Sequence, residues 1–379
     1  MRVIAASSSS TNPAEAILRV GERLRALRFD RKKDGFALVF CTTDLARDPV
    51  ALSGALKDLL GEVPYVGYVG ASVFHDARLL EKKPALAVLV VEGARAAVRT
   101  ASLDGSPGDV AAALLADMPH GRLRFLSVGV DAGTPGSLLD FLPDLDDARI
   151  QIAGCLSLPP SGQRPSILAD GVGVGPAVAL LDVDGVGALL GVAQAARQLG
   201  KPRWVTAATA NLIQEVDGRP AFEALLSDLP ATLRTQIPRL GGVLCAGFGT
   251  EEGDAFLMRH VVGLDPTTGA VAVAGTAKVG AEIVFSLRDQ ASARADLDEL
   301  LSGFEESLGD RQPLAFVVFD CAARDQALFG VQNHDVQRVL SRFGTEIPVV
   351  GVAGGGELCT YGRGTYLFGM SCVVAALFE

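Results

Sequence analysis

The chain has 379 residues, of which 49% are hydrophobic and 21% are charged, and its formal net charge is −10. This composition excludes a disordered chain, and the length predicts two or three domains. The negative charge, with no run of Lys or Arg, opposes binding to nucleic acid or to an anionic membrane surface. We therefore expect neither as a partner.

The N-terminus and the cysteines indicate a cytoplasmic protein. Residues 1–13 lack the apolar core of a signal peptide, and acidic residues and glycines interrupt the most apolar stretch, residues 172–196, so we predict no membrane span. The six cysteines lie far apart, as is typical of reduced cytosolic proteins. The four histidines lack metal-ligand spacing, and no Gly-x-Ser-x-Gly motif is present. We expect no metal, no cofactor and no enzymatic activity.

The first hundred residues alternate between amphipathic helices and buried strands. Apolar residues at helical spacing predict the helices, and continuous apolar runs bounded by turn residues predict strands covered on both faces. The predicted elements are a helix over residues 14–27, a strand over 36–41, a helix over 48–60, a strand over 63–70, and a strand pair over 84–92 and 94–103.

The strand–helix–strand order returns near the C-terminus, with strands over residues 314–321 and 347–354 around a helix over 331–343. A weaker copy has strands over 123–129 and 150–155 around a helix over 137–142. Such self-similarity indicates internal duplication. We predict an α/β fold with mixed β-sheets, flanking helices and an internally duplicated, two-lobe architecture. A helix–sheet–sheet–helix layering is one arrangement that fits this pattern.

The middle of the chain predicts further sheet strands and a domain boundary. The predicted elements are strands over residues 177–182, 187–192 and 204–208, a helix over 220–226, and strands over 256–262 and 270–273. We divide the chain into residues 1–220 and 221–379.

A glycine-rich segment after the last predicted strand is a candidate ligand cradle. Gly354, Gly355 and Gly356 allow the backbone to approach a ligand and expose N–H groups, and Glu357 can accept hydrogen bonds from an ammonium group. The alternative is a structural turn in which Glu357 is solvated or paired with a cation. The sequence leaves both interpretations open.

A second candidate lies at the end of the strand over residues 314–321, where parallel sheets bind ligands. Arg324 follows Cys321 and can bind a carboxylate through two hydrogen bonds. Cys321 is more simply a small buried residue. A rival hypothesis is an enzyme in which Cys321 is the nucleophile and Arg324 stabilises its thiolate.

Several motifs together resemble the FIST family of sensory proteins. In chain order they are residues 67–72 (GYVGAS), 205–213 (VTAATANLI), 217–221 (DGRPA), 256–259 (FLMR), 319–324 (FDCAAR) and 348–357 (PVVGVAGGGE). The resemblance covers nearly the whole chain, as an N-terminal half followed by a C-terminal half.

The resemblance implies an intracellular input module of signal transduction that binds a small polar ligand such as an amino acid and signals through an unknown partner protein. The residues that we expect to contact the ligand are Gly70, Ser72, Asn211, Cys321, Arg324, Gly354, Gly355, Gly356 and Glu357.

The sequence departs from the family pattern in two places. Residues 366–371 lack a His that tends to precede a Thr, and residues 192–200 lack a Gly-Cys pair. A protein-interaction scaffold with a vestigial pocket is therefore a further hypothesis.

Overall fold

The computed structural model describes residues 1–118, 121–130, 139–145, 147, 149–169, 171–174, 176–250 and 255–379, and for residues 171–174 it describes the backbone only. The chain forms two compact units. Unit 1 comprises Met1–Ala193, Leu297–Leu367 and Ser371–Glu379, and unit 2 comprises Gln194–Asp296 and Phe368–Met370. These units are defined by contacts and do not test the predicted sequence boundary at residue 220.

The strands are numbered in chain order. Those of residues 1–193 are β1 (Arg2–Ser9), β2 (Gly35–Thr42), β3 (Tyr65–Gly70), β4 (Ser72–His75), β5 (Arg78–Glu81), β6 (Ala85–Glu92), β7 (Arg95–Ser102), β8 (Leu123–Gly129), β9 (Gln151–Ser157), β10 (Ser166–Ala169), β11 (Gly171–Val174), β12 (Ala177–Asp184) and β13 (Gly187–Ala193). Those of residues 194–296 are β14 (Ala196–Gln198), β15 (Arg203–Thr209), β16 (Leu212–Val216), β17 (Arg219–Pro220), β18 (Leu244–Gly249), β19 (Phe256–Asp265), β20 (Ala270–Val273) and β21 (Glu282–Arg288). The remaining strands are β22 (Ala315–Cys321), β23 (Val349–Gly354), β24 (Glu357–Tyr361), β25 (Gly364–Phe368) and β26 (Cys372–Phe378).

The helices flank these strands. They are α1 (Pro13–Ala26), α2 (Pro49–Leu60), α3 (Pro107–Leu115), α4 (Ala221–Asp228), α5 (Ala231–Arg234), α6 (Gln290–Leu308), α7 (Gln326–Phe329) and α8 (His334–Phe343), with 3₁₀ turns at Leu45–Arg47, Leu142–Leu145 and Ile237–Arg239. In the described part of the chain, every helix is too short or too polar to span a bilayer. Of the helix predicted over residues 137–142, residues 137 and 138 lie outside the described residues.

Unit 1 contains three sheets with one shared plan. Their strand orders are β1-β6-β2-β3-β10-β11, β7-β12-β8-β9-β24-β25 and β13-β26-β22-β23-β4-β5. Each has a central parallel pair: β2–β3, β8–β9 or β22–β23. We call these pairs copies 1, 2 and 3. The predicted α/β fold with mixed sheets, flanking helices and internal duplication is confirmed.

The three sheets of unit 1 exchange hairpins. The hairpin that follows each parallel pair in the chain adds to the parallel pair of another copy: β4 pairs with β23, β24 pairs with β9, and β10 pairs with β3. Aromatic rings from all three copies meet in the core, since the ring of Phe319 lies 6.2 Å from that of Phe40 and 6.5 Å from that of Phe125. The exchange and these contacts tie the copies into one folded unit.

A glycine marks the same position in each parallel pair. Gly67 faces Val39, Gly154 faces Leu126 and Gly351 faces Val318. A Cβ atom built on Gly351 would lie 1.9 Å from the carbonyl oxygen of Val318, which is backbone and cannot turn aside. The closeness of the two strands therefore requires glycine there.

We expect Gly351→Ala to lower the free energy of unfolding of the protein by about 3 kcal/mol, because the added methyl group forces the parallel strands apart. The matched control is Gly54→Ala in α2, where a Cβ atom meets nothing within 4 Å. Alanine is the better helix former, so this control is expected to be neutral or mildly stabilising. Urea unfolding followed by circular dichroism measures both, and equal stabilities would contradict the prediction.

Unit 2 contains strands β14 to β21 with helices α4 and α5. The strands pair in the order β14-β21-β15-β16-β20-β19-β18, β18 pairs also with β21, and β17 pairs with β16. Its core includes Val205, Ile213, Leu225, Val271 and Phe285.

Candidate functional site

A cavity of about 290 Å³ opens in unit 1 beyond the C-terminal end of β22. This is the edge at which parallel α/β sheets place ligands. Three of the predicted site residues line the cavity: Ser72 from the exchanged β4–β5 hairpin, and Cys321 and Arg324 from the end of β22 and the turn after it. The wall also includes Asp320, which the sequence analysis did not select.

The guanidinium group of Arg324 is held inside the protein. Its Nε atom donates a hydrogen bond to Oδ2 of Asp335 at 2.7 Å, and its terminal Nη2 atom donates to Oδ1 at 3.1 Å. Both side chains are 0% exposed. The predicted two-bond carboxylate clamp exists, but its carboxylate is that of Asp335 in the first turn of α8.

His334 and Phe329 complete the surroundings of this ion pair. The Nδ1 atom of His334 lies 2.8 Å from Oδ1 of Asp335, and its ring stacks on that of Phe329 at 4.0 Å. Burial favours the neutral form of Asp335, but the charge and hydrogen bonds of Arg324 outweigh it and hold the pKa of Asp335 below its usual value. Asp335 is therefore an ionised partner of Arg324.

Asp320 lies in the same cluster but in a different state. It is 4% exposed, and its Oδ1 atom lies 3.4 Å from Nε of Arg324. Burial, and then the negative charge of Asp335, raise the pKa of Asp320 well above its usual value. The pKa of Asp320 is thus raised while that of the neighbouring Asp335 is lowered, and such opposite shifts are typical of functional sites.

Glu357 is fully buried, so the alternative in which its side chain is solvated is wrong. Its Oε2 atom accepts a hydrogen bond from Oγ of Ser371 at 2.6 Å. Burial raises the pKa of Glu357 to about 8, against the lowering effect of the hydrogen bonds from Ser371. Glu357 begins β24, faces Cys155 of β9, and does not line the cavity.

The four predicted glycines lie where strands approach each other. A Cβ atom on Gly70 would lie 2.3 Å from the side chain of Val352, and one on Gly354 would lie 3.0 Å from Sγ of Cys155. The N–H group of Gly355 donates to the carbonyl of Leu156, and the carbonyl of Gly356 accepts from the N–H of Leu156. The close approaches give a steric reason for glycine at positions 70 and 354, and a ligand contact by any of the four glycines stays a prediction.

Asn211 belongs to unit 2, in the turn between β15 and β16. Its Nδ2 atom donates to the carbonyl of Val273 at 3.3 Å, and its own carbonyl accepts from the N–H of Val273. Its role in ligand binding also stays a prediction.

The repeated architecture offers an internal comparison for Asp320. This residue lies two positions after the one that faces the shared glycine of copy 3. The same position is Cys41 in copy 1 and Val128 in copy 2, and both are buried. A small or apolar side chain therefore satisfies the fold at this place. Only copy 3 carries an acidic group there.

Glu357 and Ser371 are exceptions of the same kind. Glu357 faces the residue after the shared glycine of copy 2, and the corresponding residue facing copy 3 is Val73. In the hairpin that faces copy 1, the corresponding residue is Ile167, next to Leu168. Ser371 lies just before β26, the strand that pairs with β22 of copy 3. The registers place Ala177 of β12 at the same position beside copy 2, and Ala85 of β6 at the same position beside copy 1. Asp320 of copy 3, and Glu357 and Ser371 in the chain segments that follow it, are thus polar where the other copies have apolar or small residues, and we call these three residues the polar cluster of copy 3.

The cluster does not fit a metal ion well. Oxygen atoms of Asp320 and Asp335 and Sγ of Cys372 lie within 4.8 Å of one another. However, Arg324 already binds both oxygens of Asp335, and burial and the charge of Asp320 raise the pKa of the Cys372 thiol well above its usual value. A metal needs deprotonated ligands, and a guanidinium group beside it would repel it.

The sequence analysis missed Asp320, Asp335 and Ser371. For Asp320 the sequence held a signal, because this residue is acidic within the apolar run of residues 314–321. An unpaired charge in a buried strand costs free energy, so such a residue points to a specific role. The sequence could not show that Asp335 of α8 would reach Arg324.

The chain belongs to the FIST family. The FIST N domain matches residues 35–219 and the FIST C domain matches residues 221–360. FIST domains are sensory domains of signal transduction. The predicted family is therefore confirmed.

Similar curated proteins carry no functional description. Two uncharacterized proteins from strains of Mycobacterium tuberculosis are each 30% identical over 195 residues, which are 50% of this chain and 50% of the relative. An uncharacterized protein from Mycobacterium bovis is 29% identical over 194 residues, with the same coverage. The chain thus aligns with about half the length of these curated relatives. Among solved structures, the crystal structure of cyanuric acid hydrolase from A. caulinodans covers 100% of this chain and 99% of its own, at 10% identity and a TM-score of 0.35.

Proposed function

We propose that this chain is a cytoplasmic sensory protein that binds a small polar ligand, such as an amino acid, in the cavity beyond β22. It passes the signal to a partner protein and carries out no covalent chemistry. The observation that carries the proposal is the polar cluster of copy 3, which replaces side chains that are apolar or small in the other two copies. The other two copies fold with apolar or small residues at these positions, so the shared architecture alone does not explain the polar groups.

The size and lining of the cavity support this function. A volume of about 290 Å³ is close to the lower end of ligand pockets, which suits a small metabolite. The wall includes charged groups of both signs, among them Glu81, Lys82 and Asp320. A zwitterion can therefore find partners for both of its charges.

The same elements offer a route for the signal. The cavity wall includes residues of α7 and of the segment that leads into α8, and Arg324 on this wall holds Asp335 of α8. A ligand that contacts Arg324 or Asp320 favours one position of α8 over another, which changes the surface offered to a partner. The cytoplasmic location is supported by the six cysteines, all within the described residues and all free thiols.

A melting-temperature screen over the twenty amino acids and other small polar metabolites tests the proposal. A ligand at a hundred times its dissociation constant stabilises the fold by about 2.7 kcal/mol, which gives a measurable shift. Ala322→Trp, which fills the cavity from an exposed position on its wall, is expected to abolish the shift. Ala327→Trp, at an exposed position that does not line the cavity, is the matched control. No shift with any compound would favour the scaffold.

A further inference from the structure

Asp320 lines the cavity and holds a buried acceptor atom that lacks a hydrogen-bond partner in the described part of the chain. The side chain lines the cavity while only 4% of the residue is exposed. Among the described residues, none donates a hydrogen bond to its Oδ1 atom. The closest cation, Nε of Arg324 at 3.4 Å, directs its hydrogen to Asp335 at 2.7 Å instead. A buried acceptor in this state calls for a donor from outside the chain.

The charges around Asp320 favour a cationic donor. On its own segment lie Cys321 and Arg324, and the other elements packed against it contribute Asp335 from α8, Glu357 from β24 and Cys372 from β26. Asp335 neutralises the charge of Arg324, so a cationic group that approaches Asp320 meets an ion pair and not an isolated positive charge. A ligand group that brings both a positive charge and several N–H donors satisfies Asp320 best.

We propose that the cavity recognises its ligand through a primary ammonium group, which Asp320 binds as a carboxylate. The inference rests on the proposed function and adds that Asp320 binds the ammonium group of the ligand. A divalent metal ion is the rival occupant. It is disfavoured because Arg324 would repel its two positive charges and already binds both oxygens of Asp335.

Binding of the ammonium group releases a proton. In the ligand-free protein burial favours the protonated form of Asp320, because it raises the pKa of this carboxyl group above its usual value. The protonated amine enters, the O–H bond of Asp320 breaks, and the proton leaves to solvent, so the sum of charges is conserved. The affinity is therefore expected to rise with pH until it reaches the pKa of Asp320 or that of the ligand amine.

Matched pairs of probes test the recognition of the amine. The pairs are L-alanine with L-lactate, L-serine with glycerate, and ethanolamine with ethylene glycol, which differ at the amino group alone. Melting curves are recorded for each member, and for ZnCl₂ and MnCl₂ with and without chelator. We expect shifts from amines of suitable size and none from their hydroxyl counterparts. Equal shifts within pairs, or a shift from a metal, would overturn the inference.

Two variants then assign the role to Asp320. Asp320→Asn keeps the shape and removes the negative charge, and it is expected to weaken amine binding by about 10- to 100-fold, the usual worth of a hydrogen bond to a charged group. Asp310→Asn makes the same change at an exposed position that does not line the cavity and is expected to bind as the wild type does. Equal losses in both variants would contradict the assignment.

A calorimetric measurement on the wild type keeps the test independent of how the variants fold. Titration of the tightest-binding amine in phosphate and in imidazole buffer gives the number of protons released, and we expect release because burial raises the pKa of Asp320. Equal binding of the amines and their hydroxyl counterparts overturns this inference but leaves the proposed function standing. Absence of any binding, by contrast, removes the proposed function itself.

Discussion

Replacing Arg324 by methionine is expected to lower the free energy of unfolding by about 3–5 kcal/mol, because a buried charge loses its partner. Arg324 and Asp335 are 0% exposed and joined by two hydrogen bonds. Methionine fills much of the space of the arginine but donates no hydrogen bond. Asp335 must then either stay ionised in an apolar surrounding or take up a proton, and both cost free energy. Urea unfolding followed by circular dichroism measures the loss.

Two further variants decide whether this loss comes from the buried charge. Arg338→Met removes a similar ion pair with Asp298, but at side chains 43% and 41% exposed, so its cost is expected to be at most about 1 kcal/mol. The double variant Arg324→Met with Asp335→Asn removes both charges, and we expect it to recover part of the stability. If Arg324→Met costs no more than Arg338→Met, Arg324 does not neutralise a buried carboxylate.

The repeated parallel pairs could be predicted because each is local in sequence. Apolar runs of strand length on either side of a helical segment gave β2, β3, β22 and β23 within two residues of their observed ends. Their parallel pairing follows from the crossover between them. A local pattern was sufficient because each pair is completed within a few dozen residues of chain.

The exchanged hairpins could not be predicted for the opposite reason. Residues 354–357 were predicted as a glycine-rich loop after a strand, yet Glu357 begins β24 and pairs with Cys155, about two hundred positions earlier in the chain. The short strand β4 likewise pairs with the distant β23 as well as with its sequence neighbour β5. Their partners, not their own propensities, make them strands.

Helix α6 was missed although the sequence holds its signal. Leu297, Leu301, Phe304 and Leu308 are buried at helical spacing and form one apolar stripe, but polar residues surround them and dilute the pattern.

Part of the cavity was predicted correctly: Ser72, Cys321 and Arg324 were expected at the site and do line one cavity. Asp335 was out of reach because packing of α8, not sequence distance, brings it to Arg324.

The pH dependence of stability is expected to change when Glu357 becomes glutamine. The folded pKa of Glu357, about 8, lies above the ordinary value of 4.5, so the folded state binds more protons than the unfolded state between these values. Its contribution to stability is complete below pH 4.5 and is lost as the pH rises through 8. A raised pKa of this size is worth on the order of a few kcal/mol. Glutamine resembles the protonated acid and does not titrate.

We therefore expect the wild type to lose more free energy of unfolding between pH 5 and pH 9 than Glu357→Gln does, by a few kcal/mol. Comparison of the two curves isolates Glu357, because His75 and His260, whose pKa values are lowered by burial, titrate alike in both proteins. Asp320 adds a slope of the same sign to both. The control, Glu305→Gln, changes a glutamate that is 59% exposed and paired with Arg342, and is expected to follow the wild type. Parallel curves for Glu357→Gln and the wild type would show that Glu357 is ionised in its buried site, and the receptor cluster would then carry one more negative charge than we assign to it.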